Sequence, residues 1–419
     1  MSKYIVKGGN KLNGEVIVQG SKNAALPILA ATVLNQSESV IENIPDIHDV
    51  DIMIKILKSI GCCVKKEGNT LIVDSSNINS VEVSEALVRE MRSSIILLGA
   101  LLSKHKETIF SYPGGCDIGL RPIDIHLKGL RKLGAVIEES HGFIHCKAEK
   151  LYGSSINLDF PSVGATENIM LAASLAEGET VIRNAAKEPE IIDLQNFINT
   201  MGGEVKGAGT SMVSIKGVRK LNSVKYRVTS DRIVAGTYIV ASCITGGKIL
   251  LRNIPMEDMR TVCYKLAETG CNITNYDNGE ILVKSSKIIQ PIESLITQPY
   301  PGFPTDMQAQ ILSLLTVANG TSVINETIFE SRYKHVPELI RMGAKIKIEG
   351  RIAIIQGVEN LLGAEVDSTD LRGGAAMVLA GLRAQGDTIV NHIHHIDRGY
   401  ENFAGNLRNL GAIIKRQED

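Results

Sequence analysis

Tryptophan is absent and aromatic residues make up only 4% of the 419-residue chain, too few for a platform on which nucleic-acid bases stack. Charge of neither sign dominates. The 45 basic and 46 acidic residues leave a formal net charge of -1, so no overall field draws the chain to nucleic acid or to an anionic membrane. Long apolar runs are missing too: the longest, 95–102, is broken by Gly99 and falls far short of the roughly 20 residues that cross a bilayer. The opening MSKYIVKGGNKLNGEVIVQG alternates apolar and polar residues where a secretory signal would be continuously apolar. Seven cysteines, an odd number without framework spacing, suit a reducing cytoplasm better than a disulfide scaffold. No GxGxxG follows a strand pattern, and Gly247-Lys248 is followed by Ile249 where a phosphate-binding loop needs Ser or Thr.

What is present is repetition. KSIGCCV, RKLGAVI, NTMGGEV, AETGCNI, IRMGAKI and RNLGAII each end an amphipathic helix on a glycine and start an apolar strand. Their glycines, Gly61, Gly134, Gly202, Gly270, Gly343 and Gly411, are spaced by 73, 68, 68, 73 and 68 residues, too regular for chance. A second helix in each unit is rich in Ala, Ile and Leu all round and is expected to be buried. The last unit stops at IIKRQED without its closing strands, and the first residues resemble the strand-to-helix junction IKGVRKLNSVKYRVTSDR, so the N-terminus is expected to supply the missing piece. The expectation is an α/β protein of two three-unit domains, 22–229 and 1–21 plus 230–419.

Residues that carry chemistry recur at two places in the repeat. Opening the buried helices stand Lys22, Arg92, the Ser162-Val163-Gly164 turn, Arg232, Asp306 and Arg372. Between strand and outer helix stand Cys116 with Arg121, Glu188 with Glu190, Arg332, and Asp397 with Arg398. If the two domains face each other, both sets converge on an interdomain cleft suited to a small, multiply anionic substrate. Ser21, Thr229 and Thr369 read as helix N-caps. Lys22, Arg92, Arg232 and Arg372 oppose the positive end of a helix dipole, so something anionic should repay them. His392, His394 and His395 read as strand residues because no carboxylate or thiol has matching metal-ligand spacing, and Cys62-Cys63, Cys243, Cys263 and Cys271 read as core. Cys116 differs, lying in the glycine loop YPGGCDIGLRPID five residues before Arg121, which should pull its pKa below the usual 8.5 or so and favour reactivity.

Several stretches in order carry a resemblance to the UDP-N-acetylglucosamine enolpyruvyl transferase family over essentially the whole length: GSKNAALPI, PGGCDIGLRPID, SVGAT, EPEI, FPTDMQAQ, TDLR and HIDRGYE. The resemblance implies two inside-out α/β barrels, each of three βαβαββ units with helices inside. It implies transfer of the enolpyruvyl group of phosphoenolpyruvate to the 3-hydroxyl of UDP-N-acetylglucosamine with release of phosphate, the first committed step of peptidoglycan synthesis, in the cytoplasm, without a metal or cofactor. A monomer is expected, with no nucleic-acid partner and no membrane insertion.

Mapped onto matching positions, the resemblance gives Lys22, Arg121 and Arg398 as clamps on phosphoenolpyruvate. Asn23 and Asp306 would contact the sugar, with Asp306 as general base on its 3-hydroxyl. Arg92, the loop Arg121, Pro122, Ile123, Asp124 and Ile125, the Ser162-Val163-Gly164 turn and Ile328 would hold the UDP-sugar. Cys116 resembles the family's acid, which protonates the terminal carbon of the enol, forms covalent adducts, and rides on a loop that works as a lid. Glu188, Glu190, Arg232, Asp370 and Arg372 would support the closed site. Gly373 departs from the family's usual Ala and is expected only to loosen the start of its helix, by roughly 1 kcal/mol. Some relatives carry Asp in place of the cysteine; with Cys116 present, covalent inactivation by the epoxide fosfomycin is expected. Two rivals stand beside this reading: the shikimate-pathway enolpyruvyl transferase, which normally lacks such a cysteine loop, and a noncatalytic UDP-sugar-binding regulator, which should lack a complete acid, base and phosphate clamp.

Overall fold

The computed structural model describes residues 2–114, 118–119, 123–286 and 288–418. The chain divides into two compact units, one of residues 20–116 and 121–229, the other of 1–19, 117–120 and 230–419. Each has its own apolar core.

In the 20–229 unit the helices Lys22–Ala31, Leu97–His105 and Val163–Ala173 are the buried ones. In the other unit they are Arg232–Thr245, Gln308–Leu315 and Leu371–Arg383. Arg232–Thr245 is buried from its first residue to Ile244, as expected of a helix with no polar face. The outer helices are amphipathic. His48–Ser59, for example, buries Val50, Ile52, Met53, Ile56 and Leu57 and exposes Lys55 and Lys58.

The six repeat glycines have one backbone job. Gly61, Gly134, Gly202, Gly270, Gly343 and Gly411 all sit at φ between +88° and +107°, just past the end of an outer helix, where a side chain would be strained. A second left-handed position recurs after the central strands. Asn43, Asn184 and Asn253 adopt φ of 60°, 54° and 61°. Their side-chain amides donate to the carbonyls of Val228, Leu158 and Val18 at 2.9, 2.9 and 2.8 Å, tying each turn to the end of a neighbouring chain segment. His392 occupies the same conformation at φ 56°. It is therefore a turn residue, and His394 and His395 lie in the short helix His394–Asp397, which corrects the strand reading of all three.

Six sheets are formed among the described residues, three per unit. In five of them a strand from elsewhere in the unit adds in parallel to an antiparallel set, as Val224–Arg227 does beside Glu38–Glu42. Residues Lys3–Lys7 complete the last sheet, pairing with Asp387–Asn391 on one side and Ile413–Gln417 on the other. Asn13–Ile17 goes instead to Lys248–Arg252, so the N-terminus mends two sheets, not one. Cys62, Cys243, Cys263 and Cys271 are buried as expected, but Cys63 is exposed, because its strand Cys63–Glu67 turns only Val64 inward.

Candidate active site

In the 20–229 unit Ser21 does cap its helix, its hydroxyl accepting from the Ala24 N–H at 3.3 Å. The adjacent Lys22 finds its anion within the chain: its Nζ lies 2.6 Å from Oδ2 of Asp49, a carboxylate only 1% exposed in the first turn of His48–Ser59. Sequence reasoning passed over Asp49, since an acidic residue there serves the helix dipole and gives no sign of a distant lysine. Asn23 is half-buried beside it. Arg92 opens a 3₁₀ turn and donates from Nη1 to the Gly114 carbonyl at 3.3 Å, pinning one end of the glycine loop. Arg92, Ile123 and Asp124 line an open pocket of about 340 Å³ together with Tyr112, Lys128 and Arg131. Ile125 is partly buried and packs against the core of the unit.

Ser162 caps Val163–Ala173, accepting from the Ala165 N–H at 3.3 Å. A Cβ on Gly164 would lie 3.1 Å from the His126 ring, a tight contact that the glycine avoids. One turn further, Asn168 accepts from the Gly99 N–H at 2.6 Å and donates to the Ile95 carbonyl at 2.9 Å, bracing two buried helices behind the Ser162 turn. Glu188 and Glu190 open the helix Pro189–Thr200. Facing them is Glu167, an acid the sequence reading missed in an otherwise apolar helix. Burial first, then the charges of Glu190 and Glu188, push its pKa well above the usual value near 4.5.

Above pH 4.5 the unfolded chain loses the Glu167 proton while the folded protein keeps it, so the stabilising contribution is full below that pH and fades as pH rises through the folded value. Glu167→Gln, permanently neutral, should therefore match the parent near pH 5 and exceed it by roughly 1–3 kcal/mol at pH 9. Denaturant titrations at the two pH values check this, and an equal difference at both would refute it.

In the 230–419 unit three groups, Asp306, Arg332 and Arg372, gather near the mouths of the buried helices. Asp306, in the 3₁₀ turn Thr305–Met307, accepts from Arg332 Nη2 at 3.0 Å through Oδ1 and from Arg372 Nη2 at 3.2 Å through Oδ2. Both guanidinium groups are only 3% exposed, whereas Asp306 is 29% exposed. Among the described residues, Nε of Arg332 and both Nε and Nη1 of Arg372 have no hydrogen-bond partner. Donors so placed ask for an anion. Burial opposes the charge of Arg372, but Tyr400, Asp306 and Asp231 outweigh it and hold the pKa above the usual arginine value.

Here two expected caps are corrected. Asp231, not Thr229, caps Arg232–Thr245, accepting from Ile233 and Val234 N–H at 2.9 and 3.0 Å. Thr229 instead donates its N–H to Asp193 at 3.1 Å. Asp370, not Thr369, caps Leu371–Arg383 through bonds from Arg372 and Gly373 N–H at 2.9 and 3.1 Å. Burial would raise the Asp370 pKa; Arg332, the Gly373 N–H and His335 more than offset it and hold the group below the usual range. His335 is fully buried against the same corner, and burial pushes its pKa down to about 4. Gly373 leaves that corner uncrowded. A Cβ on it would lie 2.8 Å from side-chain oxygens of Asp370 and Thr369 and 3.1 Å from His335 Cβ, so the glycine provides room as well as helix looseness.

Arg232, Ile328, Asp397 and Arg398 are the further expected residues of this unit. Arg232 lies 5.7 Å from the Tyr300 ring centroid and lines a smaller pocket of about 190 Å³. The Ile328 N–H donates to Glu326 Oε1 at 2.8 Å. Arg398 follows the helix His394–Asp397 and is half-buried, while Asp397 is committed to a two-pronged pair with Arg416 at 2.8 and 2.9 Å. Cys116, Arg121 and Pro122 lie outside the described residues. No group of three or more metal-ligating side chains occurs among the described residues, and no helix there is long and apolar enough to cross a membrane.

With this geometry in hand, comparisons with known proteins are specific. The family model of EPSP synthase (3-phosphoshikimate 1-carboxyvinyltransferase) matches residues 6–407. A UDP-N-acetylglucosamine 1-carboxyvinyltransferase 2 from Caldanaerobacter subterraneus subsp. tengcongensis is 53% identical over 99% of this chain and 100% of its own length. A UDP-N-acetylglucosamine 1-carboxyvinyltransferase from Geobacter metallireducens is 48% identical over 100% of both. Among solved structures, the enolpyruvyl transferase NikO from Streptomyces tendae superposes with a TM-score of 0.90 at 23% identity over 99% of both chains. EPSP synthase from Acinetobacter baumannii does so at 0.78 and 19% over 100% of both. These two likenesses speak for the fold.

Proposed function

This chain belongs to the EPSP synthase family of 1-carboxyvinyltransferases, and from that premise we infer its reaction and the residues that perform it. It transfers the enolpyruvyl group of phosphoenolpyruvate to the 3-hydroxyl of UDP-N-acetylglucosamine and releases phosphate, the committing step of peptidoglycan synthesis. The observation that carries this reading is full-length identity of about half to relatives named for that acceptor.

The site roles are our proposal. Asp306 takes the proton of the sugar hydroxyl as its oxygen attacks the substituted carbon of the enol. Cys116 supplies the proton that the terminal carbon gains. Loss of phosphate, with a proton leaving the same terminal carbon, restores the double bond. Lys22, Arg121 and Arg398 hold the phosphate and carboxylate of phosphoenolpyruvate, and the unpartnered donors of Arg332 and Arg372 favour an anion beside Asp306. Asn23 contacts the sugar; Arg92, the 121–125 segment, the Ser162-Val163-Gly164 turn and Ile328 hold the nucleotide. Glu188, Glu190, Arg232 and Asp370 support these groups. The enzyme works as a cytoplasmic monomer.

Phosphate release should require UDP-N-acetylglucosamine and should disappear after incubation with fosfomycin, while a Cys116→Ser protein escapes the covalent adduct in intact-mass measurement. Release driven by shikimate 3-phosphate instead would overturn the acceptor. An unmodified parent protein after prolonged exposure would remove Cys116 from its role.

A further inference from the structure

Beneath Asp306 lies a buried polar network whose members are not expected to touch substrate. Thr237 on Arg232–Thr245, Gln310 on Gln308–Leu315 and Tyr400 are 0%, 0% and 3% exposed. The proton positions follow from the bonds. The Thr237 hydroxyl donates its one hydrogen to the Ile233 carbonyl at 2.8 Å, so the 3.0 Å contact between Thr237 and Tyr400 must be a bond donated by the Tyr400 O–H. The phenol oxygen is thereby left as an acceptor. Gln310 Nε2 gives one hydrogen to the Asp306 carbonyl at 2.8 Å and shares the other between Thr237 Oγ1 at 3.2 Å and Tyr400 Oη at 3.3 Å. The amide cannot be turned over, because its oxygen would then face the Asp306 carbonyl.

Tyr400 also reaches the two other parts of this corner. Arg372 lies 5.3 Å from its ring centroid, and the phenol is among the groups that favour the arginine's charge. Two residues before Tyr400 comes Arg398, and the turn between them is clamped by Gln19, which donates to the Gly399 carbonyl at 3.1 Å and accepts from the Glu401 N–H at 2.8 Å. The ring packs at a tilt of 37° against Phe403, centroids 4.8 Å apart, so the hydroxyl is the polar tip of a packed apolar body.

We propose that Tyr400, acting through Gln310 and Arg372, is a positioning residue for the transfer, holding the Asp306 turn and the Arg398 turn in one fixed relation. The inference rests on the assignment of Asp306 and Arg398 made under the proposed function. Burying three hydrogen-bonding groups of this kind adds little stability over apolar replacements of the same shape. Their return is orientation of a charged pair.

Tyr400→Phe deletes one oxygen and leaves the packed ring; Gln310→Met keeps the length and removes the donors. Each should lower kcat about tenfold while both KM values stay within about twofold. The double variant should lose little more than either single one, since both break the same chain of bonds. Thermal midpoints are recorded with each, and the parent is assayed alongside for phosphate release with UDP-N-acetylglucosamine. A parent that releases none overturns the functional reading and this inference with it. An active parent with unchanged kcat in either variant, or losses that multiply in the double variant, overturns the inference alone.

Discussion

Asp306→Asn should bind UDP-N-acetylglucosamine and turn it over about 10²–10⁴ times more slowly, the range expected when a positioned general base is removed. The amide keeps the shape of the carboxylate but can neither take the hydroxyl proton nor balance two cations. Arg332 and Arg372, each 3% exposed, would then face one another without the charge that now lies 3.0 and 3.2 Å from them. Some loss of stability is therefore expected, about 3 kcal/mol or less because Asp306 itself is partly open to water. The two effects separate cleanly. Turnover measured well below the variant's thermal midpoint, with acceptor binding followed by calorimetry, isolates the chemical loss. Near-parental kcat under those conditions would exclude Asp306 as the base.

Lys22→Ala should be costly twice over. The substitution strips a cation from 2.6 Å beside Asp49, whose side chain is 1% exposed, and removal of one partner from such a pair costs about 3–5 kcal/mol. In a unit of this size that is a fall of about 10 °C in Tm. It should also cut kcat/KM for phosphoenolpyruvate by about 10²-fold or more through loss of a clamp on the phosphate. Asp49→Asn on the same background provides the discrimination: the double variant should recover part of the Tm and none of the kcat/KM. Recovery of activity with stability would mean that Lys22 serves the fold alone.

The parts of the fold that the sequence discloses are those imposed by one residue on its own backbone. Gly61 and its five counterparts announce themselves because the +88° to +107° conformation after each outer helix penalises any side chain. The buried helices announce themselves by lacking a polar face. Caps are less legible where two capable residues stand close together, and Asp231 and Asp370 prevail over Thr229 and Thr369 because the helices start later than the first polar residue suggests. Asp306 and Arg372 were visible through their repeated position. Asp49 and Glu167 were not, because each acts on a partner that only the folded chain brings near, and neither departs from what its own helix would tolerate.

The pairing of Lys3–Lys7 with Ile413–Gln417 imposes an order of events during synthesis. Lys3–Lys7 and Asn13–Ile17 are translated before residues 20–229 but belong to the other unit: Asn13–Ile17 waits for Lys248–Arg252, and Lys3–Lys7 waits for Asp387–Asn391 and then Ile413–Gln417. Residues 20–229 meanwhile contain every strand of their own three sheets and can close during elongation. A nascent chain therefore carries a completed globule with a loose 1–19 segment, and the sheet of Lys3–Lys7 forms only between stretches far apart in sequence, a slow kind of contact to make. Truncation of a dozen C-terminal residues would strand the edge of Lys3–Lys7 unpaired, turning a small deletion at one end into an aggregation hazard at the other.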